Sequence, residues 1–226
     1  MATVGRGHTK ARHGILRLLH HRLEIHVAGF VARGVGICQV VRQHFGPLDP
    51  RLQRVLKEQF RDFIDRDGIL CVDGQEILNF GRQAMPTFTP GHRLNSGCFG
   101  TMGVGLPFGV GAKAAKPDNQ VVIVHGDGSF GFNAMELDTA VRHNLPVTVV
   151  ISLNGGWTAD PKDEKPGRNL GYTRFDKMAE GLGCYAEFVE DPDEIRPALD
   201  RARKANEKGK VALINVRTDE NAGATT

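Results

Sequence analysis

From residue 47 onward, short and wholly apolar runs alternate with stretches of helical spacing. Leu52, Val55, Leu56, Phe60 and Phe63 recur at i, i+3, i+4 intervals and predict a helix over 50–65. Ile69-Leu70-Cys71-Val72 reads as a short buried strand stopped by Asp73-Gly74-Gln75, followed by a Pro/Gly-rich connection through Pro86, Pro90 and Gly91. Residues 103–115 predict a helix packed closely through small residues. Val121-Val122-Ile123-Val124 is the second strand, stopped by Gly126-Asp127-Gly128, and 132–143 form a helix with Phe132, Met135, Ala140 and Val141 inward. Residues 147–151 are the third strand, ended by Asn154-Gly155-Gly156. Helices near 173–182 and 192–206 flank a weak strand at 185–189, and 211–216 close the sheet. Strands apolar throughout, alternating with helices, imply an α/β fold: a doubly wound, mainly parallel sheet with helices on both faces. Ligands of such sheets gather at the carboxyl ends of the strands. The loops after Val72, Val124 and Ile151 should therefore border one crevice.

Composition divides the chain in two. Residues 1–46 hold seven Lys/Arg (Arg6, Lys10, Arg12, Arg17, Arg22, Arg33, Arg42) against one acid, Glu24, and six of the nine histidines. With a net charge of +3 for the whole chain, the remainder is net acidic. The positive charges of this head are dispersed among Ile, Leu, Val and Gly without an aromatic platform, which argues against a nucleic-acid surface. His26 and Arg33 interrupt its apolar stretch, so a secretory signal is disfavoured. The segment reads as foreign to the fold, from a misplaced start or a shifted frame. A transit peptide and the remnant of an upstream domain are the alternatives. The expected division is an unassigned basic segment at 1–47 and one folded domain at 48–226. No uncharged apolar run approaches the roughly 18 residues of a membrane span. Four scattered cysteines (Cys38, Cys71, Cys98, Cys184) make neither a disulfide scaffold nor a zinc pair, which suits a reduced, cytoplasmic setting.

Two cofactors compete for Gly126-Asp127-Gly128-Ser129-Phe130-Gly131, which follows a strand and opens a helix. The run satisfies G-x-G-x-x-G, the dinucleotide fingerprint, although glycines there could equally make a plain tight turn. The dinucleotide reading needs an acid at the end of the next strand, where Leu153 and Asn154 stand. It also sets Asp127 beside a pyrophosphate, where a carboxylate repels the ligand unless a cation intervenes. Magnesium takes octahedral oxygen ligands, commonly one or two protein groups plus phosphate oxygens. Asp127 supplies a carboxylate, Asn154 an amide oxygen from the adjacent strand end, and the following glycines free a backbone carbonyl. The helix beginning near Ser129 offers N–H groups to the anion. An Asn before Gly-Gly is otherwise an ordinary turn residue.

Gly126-Asp127-Gly128, then 24 residues, then Leu153-Asn154 resembles the thiamine diphosphate signature, which runs from G-D-G to a final N-N. Arg93-Leu94-Asn95-Ser96-Gly97-Cys98-Phe99-Gly100-Thr101-Met102-Gly103 is similar to the acetolactate synthase and 2-hydroxyacyl-CoA lyase branch of that superfamily. The resemblance covers about 48–218, the size of the diphosphate-binding domain that ends those three-domain chains. It implies that Asp127, the Asn154 side chain and the Gly156 carbonyl hold Mg2+. It also implies that Gly128, Ser129 and Gln75 meet the diphosphate. The Gly100 carbonyl would accept from the aminopyrimidine, and Met102 would sit beneath the bent cofactor. Leu153 departs from the pattern, replacing the first asparagine of the final pair, and Cys98 reads as packing.

The resemblance further implies a C–C bond lyase or carboligase acting on a 2-oxo acid or a 2-hydroxyacyl-CoA, in a homo-oligomer. The activating glutamate belongs to a pyrimidine-binding domain that nothing in 1–46 resembles. No catalytic residue is therefore expected in this chain, which should be inactive alone unless that domain comes from another chain. A subunit of a split 2-oxo acid decarboxylase and a non-catalytic module retaining the fold are the alternatives. The loop 157–171, with Asp160, Pro161, Lys162, Asp163 and Lys165, borders the substrate or forms a solvated surface.

Overall fold

The computed structural model describes residues 58–157 and 166–218. The basic segment, most of the expected 50–65 helix and the charged loop 158–165 lie outside them, as does any test of the 47/48 boundary. Residues 58–61 are helical, and Phe60 and Phe63 are buried.

Six strands form one sheet in which every pairing is parallel: β1 (Ile69–Asp73), β2 (Arg93–Leu94), β3 (Val121–Gly126), β4 (Thr148–Leu153), β5 (Tyr185–Val189) and β6 (Ala212–Arg217). Their spatial order is β2-β1-β3-β4-β6-β5. The helices are α1 (Glu76–Ala84), α2 (Gly105–Ala115), α3 (Asp127–Asn133), α4 (Glu136–Arg142), α5 (Phe175–Gly181) and α6 (Ile195–Glu207). None of the described helices is long and apolar enough to cross a membrane.

Strand alternation produces the two layers. Leu70, Val72, Val122, Val124 and Ile214 point to one face and pack with α1 and α6. Ile69, Cys71, Val121, Ile123 and Leu213 point to the other and pack with α2, α4 and α5. Because both faces are covered, the central strands are apolar at most positions, with β-branched Val and Ile prominent in β3 and β4. Connections running toward β2, or back from β5 to β6, use the first face; those running the other way use the second. A single hand of crossover requires that division. The direction of winding reverses between β1 and β3. The crevice outside the carboxyl ends of those neighbouring strands is the place where such sheets bind ligands.

Four sequence expectations need correction. The connection after Gln75 contains α1, whose Ile77, Phe80, Ala84 and the adjoining Met85 are buried at i, i+3, i+7, i+8 spacing. It also leads to the two-residue strand β2. The last strand does not close the sheet: β6 inserts between β4 and β5, and β5 is the edge. The helix expected over 132–143 is two short helices, broken between Asn133 and Glu136. Phe132 and Met135 face outward, 58% and 62% exposed, while Leu137 and Ala140 face the core, since at 3.6 residues per turn the first pair lies on the far side of the helix from Leu137. Cys98 is exposed in the short 3-10 turn Gly97–Phe99, so it is not a packing residue.

Candidate functional site

The loops after β1, β3 and β4 meet in an open cleft. Residues 74–77, 126–129, Ser152, Asn154, Gly156 and Trp157 line it, with Met102 at the side. The close approach of the first two loops depends on Gly74, whose φ is +123°. A Cβ there would lie 3.2 Å from the Gly126 nitrogen and 3.4 Å from Ser129 Oγ. Gly128 is equally constrained, since a Cβ would stand 3.2 Å from the Trp157 ring.

Asp127 is the first residue of α3 and is 4% exposed. Its Oδ1 accepts from the Gly128 nitrogen and its Oδ2 from the Gly155 nitrogen, each at 2.8 Å. The second bond ties the end of β3 to the loop after β4. Burial raises the Asp127 pKa above the ordinary 3.8, despite backbone N–H donors that favour the charged form. A divalent cation beside the carboxylate would reverse that direction.

Asn154 lies just past β4 at the same cleft. Its Oδ1 accepts from the Gly156 nitrogen at 3.2 Å, and its Nδ2 donates to Glu76 Oε2 at 3.1 Å. Glu76 opens α1 and is half-buried; burial, first, and the Asp127 charge raise its pKa above 4.5, against the lowering effect of the Asn154 bond. The loop beyond Asn154 is held by the segment 168–170. Leu170 N–H donates to Gly155 O at 2.7 Å, Trp157 N–H to Arg168 O at 2.9 Å, and Arg168 Nη1 to Trp157 O at 2.6 Å.

Ser129 is buried and its hydroxyl is already committed. Its Oγ lies 3.0 Å from Gly126 O, 3.2 Å from Asp73 O and 3.1 Å from His125 Nδ1. Because the hydroxyl donates to a carbonyl, His125 donates to it and carries its proton on Nδ1. His125 is fully buried, and burial pushes its pKa down to about 4 against the upward pull of Asp73. Its Nε2 has no hydrogen-bond partner among the described residues. Asp73 Oδ2 accepts from the Gly105 nitrogen at 2.8 Å, fixing the start of α2. With its hydroxyl so engaged, Ser129 has its backbone N–H as the group left for an anion.

The cleft thus brings together Gln75, Met102, Asp127, Gly128, Ser129, Asn154 and Gly156. Gly100 is not among its lining residues: it is exposed at φ +62°, closing the 3-10 turn two residues before Met102. Leu153 is fully buried in the core below the cleft, so its side chain is packing rather than part of the site. Glu76, Ile77, Ser152 and Trp157 line the cleft and were not singled out by motif. The alternation of Ile77, Phe80 and Ala84 would have revealed α1, and with it Glu76 at a helix start facing the crevice.

Among the described residues no three His, Cys, Asp or Glu side chains gather around a point. A cation in the cleft must therefore take its further oxygens from the Asn154 amide, backbone carbonyls and the ligand itself. One buried carboxylate, one amide and a glycine-walled cradle fit a magnesium diphosphate.

The model for "Thiamine pyrophosphate enzyme, C-terminal TPP binding domain" matches residues 78–216. A probable acetolactate synthase of Mycobacterium bovis is 36% identical over 203 residues, covering 87% of this chain and 36% of its own length. The human 2-hydroxyacyl-CoA lyase 2 is 33% identical over 195 residues, covering 81% and 30%. Among solved structures, a thiamine diphosphate-dependent 4-hydroxybenzoylformate decarboxylase of Rhodococcus jostii superposes with a TM-score of 0.66 at 27% identity, covering 74% of this chain and 32% of that one. The chain spans about a third of the length of these relatives. With the family model matching well over half of its residues, this chain belongs to the C-terminal TPP-binding domains of the thiamine pyrophosphate enzymes.

Proposed function

We propose that the chain binds thiamine diphosphate through Mg2+ and serves a lyase or carboligase acting next to a carbonyl, of acetolactate synthase or 2-hydroxyacyl-CoA lyase type. The observation that carries the reading is the buried Asp127 carboxylate, pinned by the Gly128 and Gly155 amides at the mouth shared with Asn154. Asp127, Asn154 Oδ1 and the Gly156 carbonyl would hold the cation. The Ser129 amide and the Gln75 side chain would hold the diphosphate, with Gly128, whose amide is taken by Asp127, leaving room for it. When bound, the cofactor supplies the electron sink for the bond-making or bond-breaking step.

The chain's own residues bind and orient. Met102, 36% exposed at the cleft wall, would offer an adaptable apolar support for the cofactor, and the carbonyl of Gly100, outside the cleft lining, would accept from its aminopyrimidine. Trp157 stands over Gly128 and rests edge-on against Phe132, where it would shield a bound diphosphate from water. The group that activates the cofactor at its pyrimidine would come from a pyrimidine-binding domain, as the resemblance to the family implies. Phe99, 89% exposed, and Phe108, Phe132 and Met135 are exposed apolar side chains that such a partner would cover. A homo-oligomeric assembly in the cytoplasm completes the proposal.

The test is a steady-state assay of the purified chain with thiamine diphosphate, Mg2+ and either pyruvate or a 2-hydroxyacyl-CoA. The chain alone should not turn over. Product should appear when a pyrimidine-binding domain is added, and the substrate that supports it assigns the type. Turnover by the chain alone at the rate of complete relatives would contradict the need for a partner.

A further inference from the structure

An asparagine side chain has an acceptor end and a donor end, and a cation site tolerates only the first. The packing around Asn154 decides which end faces the cleft. Gly156 N–H can approach only the oxygen, and it stands 3.2 Å from Oδ1. A carboxylate can approach only the amide nitrogen, and Glu76 Oε2 stands 3.1 Å from Nδ2. The two contacts agree, and each excludes the flipped amide. They come from different places: Gly156 is two residues along the same loop, whereas Glu76 is 78 residues away, on the helix that follows β1.

Glu76 is also placed for this task by its own helix. It is the first residue of α1, whose buried Ile77 and Phe80 anchor that helix on the sheet, so the carboxylate reaches the cleft from a rigid support. Glu76 and Asn154 both line the cleft with Asp127, and no motif in the sequence joins the first of them to the other two.

We infer that Glu76 is a positioning residue, which holds the Asn154 amide with its oxygen turned toward the cation bound by Asp127. The inference rests on the magnesium diphosphate reading of the cleft. Glu76 itself is not a ligand; it acts through Asn154, as outer-shell carboxylates orient the ligands of other metal sites. Loss of such a partner typically weakens metal affinity about 10- to 100-fold.

The experiment is a double-mutant cycle on the full chain, read by calorimetric titration of thiamine diphosphate with and without Mg2+. Glu76→Ala should weaken the metal-dependent binding about tenfold or more. Glu76→Gln, which keeps an acceptor for Nδ2 without the charge, should stay within about threefold of wild type, on the ordinary difference between charged and neutral hydrogen bonds. In an Asn154→Ala background, Glu76→Ala should have no further effect. In parallel, the Asn154 side-chain amide signals in a nitrogen–proton correlation spectrum should move to solvent-exposed positions in Glu76→Ala, without any ligand present. Equal losses from Glu76→Ala in both backgrounds would overturn the inference, because Glu76 would then act on the ligand directly. Tighter binding by Glu76→Ala would overturn it too, since the carboxylate would be repelling the diphosphate. Wild type without metal-dependent binding would remove the cation site and the inference together. Unaltered wild-type binding beside an indifferent Glu76→Ala would remove the inference alone.

Discussion

Alanine at two glycines of α2, Gly109 and Gly111, separates helix propensity from close packing. Both substitutions remove a glycine from a helix interior, which should stabilise by about 0.5–1 kcal/mol. At Gly111 an added Cβ meets nothing within 4 Å, so that gain should stand. At Gly109 the added Cβ would overlap Cδ1 and Cγ1 of Ile123 on β3. Ile123 is fully buried in the centre of the sheet and cannot step aside, and overpacking of this kind costs about 1–3 kcal/mol. Since the propensity gain is common to both variants, their difference should equal the packing cost. In a domain of this size that corresponds to a split of roughly 2–12 °C in Tm, from about 2–4 °C per kcal/mol. The assay is thermal unfolding followed by circular dichroism, with urea titration to check that the slope is unchanged. Trimming the neighbour in a Gly109→Ala/Ile123→Val variant should recover part of the loss. If Gly109→Ala melts with Gly111→Ala, then α2 does not rest on β3 through that glycine. The position of Met102 at the cleft wall would then need another explanation.

Other outcomes follow from the same structure. Leu153→Asn, which restores the asparagine pair of the thiamine diphosphate signature, should lower stability by about 3 kcal/mol or more, because it deletes a fully buried side chain and buries an amide among apolar groups. Urea unfolding checks this, and an undiminished midpoint would mean the side chain has polar partners. His125 gives the chain an acid sensitivity. The unfolded imidazole takes a proton below its ordinary 6.5, whereas the buried one resists until about 4. Stability therefore falls as pH drops through that window, by roughly 3 kcal/mol if the whole shift is realised. The raised pKa values of Asp127 and Glu76 act in the opposite sense, so the decisive quantity is the difference between wild type and His125→Gln across pH 7 to 4.5. A difference that does not change with pH would contradict the neutral, buried histidine.

Much of the fold was legible because strands buried on both faces have few polar positions to obscure them. Val121-Val122-Ile123-Val124 and the run from Val147 announce themselves, and the glycines that stop them mark the cleft. Asp127 and Asn154 were legible as a pair because adjacent strands end side by side, which converts a spacing along the chain into proximity. The helix α1 was missed because Pro86, Pro90 and Gly91 dominated the reading of its surroundings, although Ile77, Phe80 and Ala84 carried a helical stripe. A two-residue strand such as β2 has no periodicity to read. Phe132 and Met135 read as inward on hydrophobicity alone, although helical spacing sets them opposite Leu137, on the face the structure exposes. The insertion of β6 between β4 and β5 is a matter of pairing order, which local patterns do not encode. Trp157 belongs to the cleft only through the meeting of three loops, so no local spacing could have selected it.

The account depends on a cation held by Asp127 between the protein and a diphosphate. Calorimetric titration of thiamine diphosphate into the chain, with and without Mg2+, and repeated on Asp127→Asn, tests it most directly. Binding by wild type should require the metal, and the substitution, which keeps the shape but removes the charge, should abolish the metal-dependent heat. Binding that ignores magnesium, or survives unchanged in Asp127→Asn, would contradict the account.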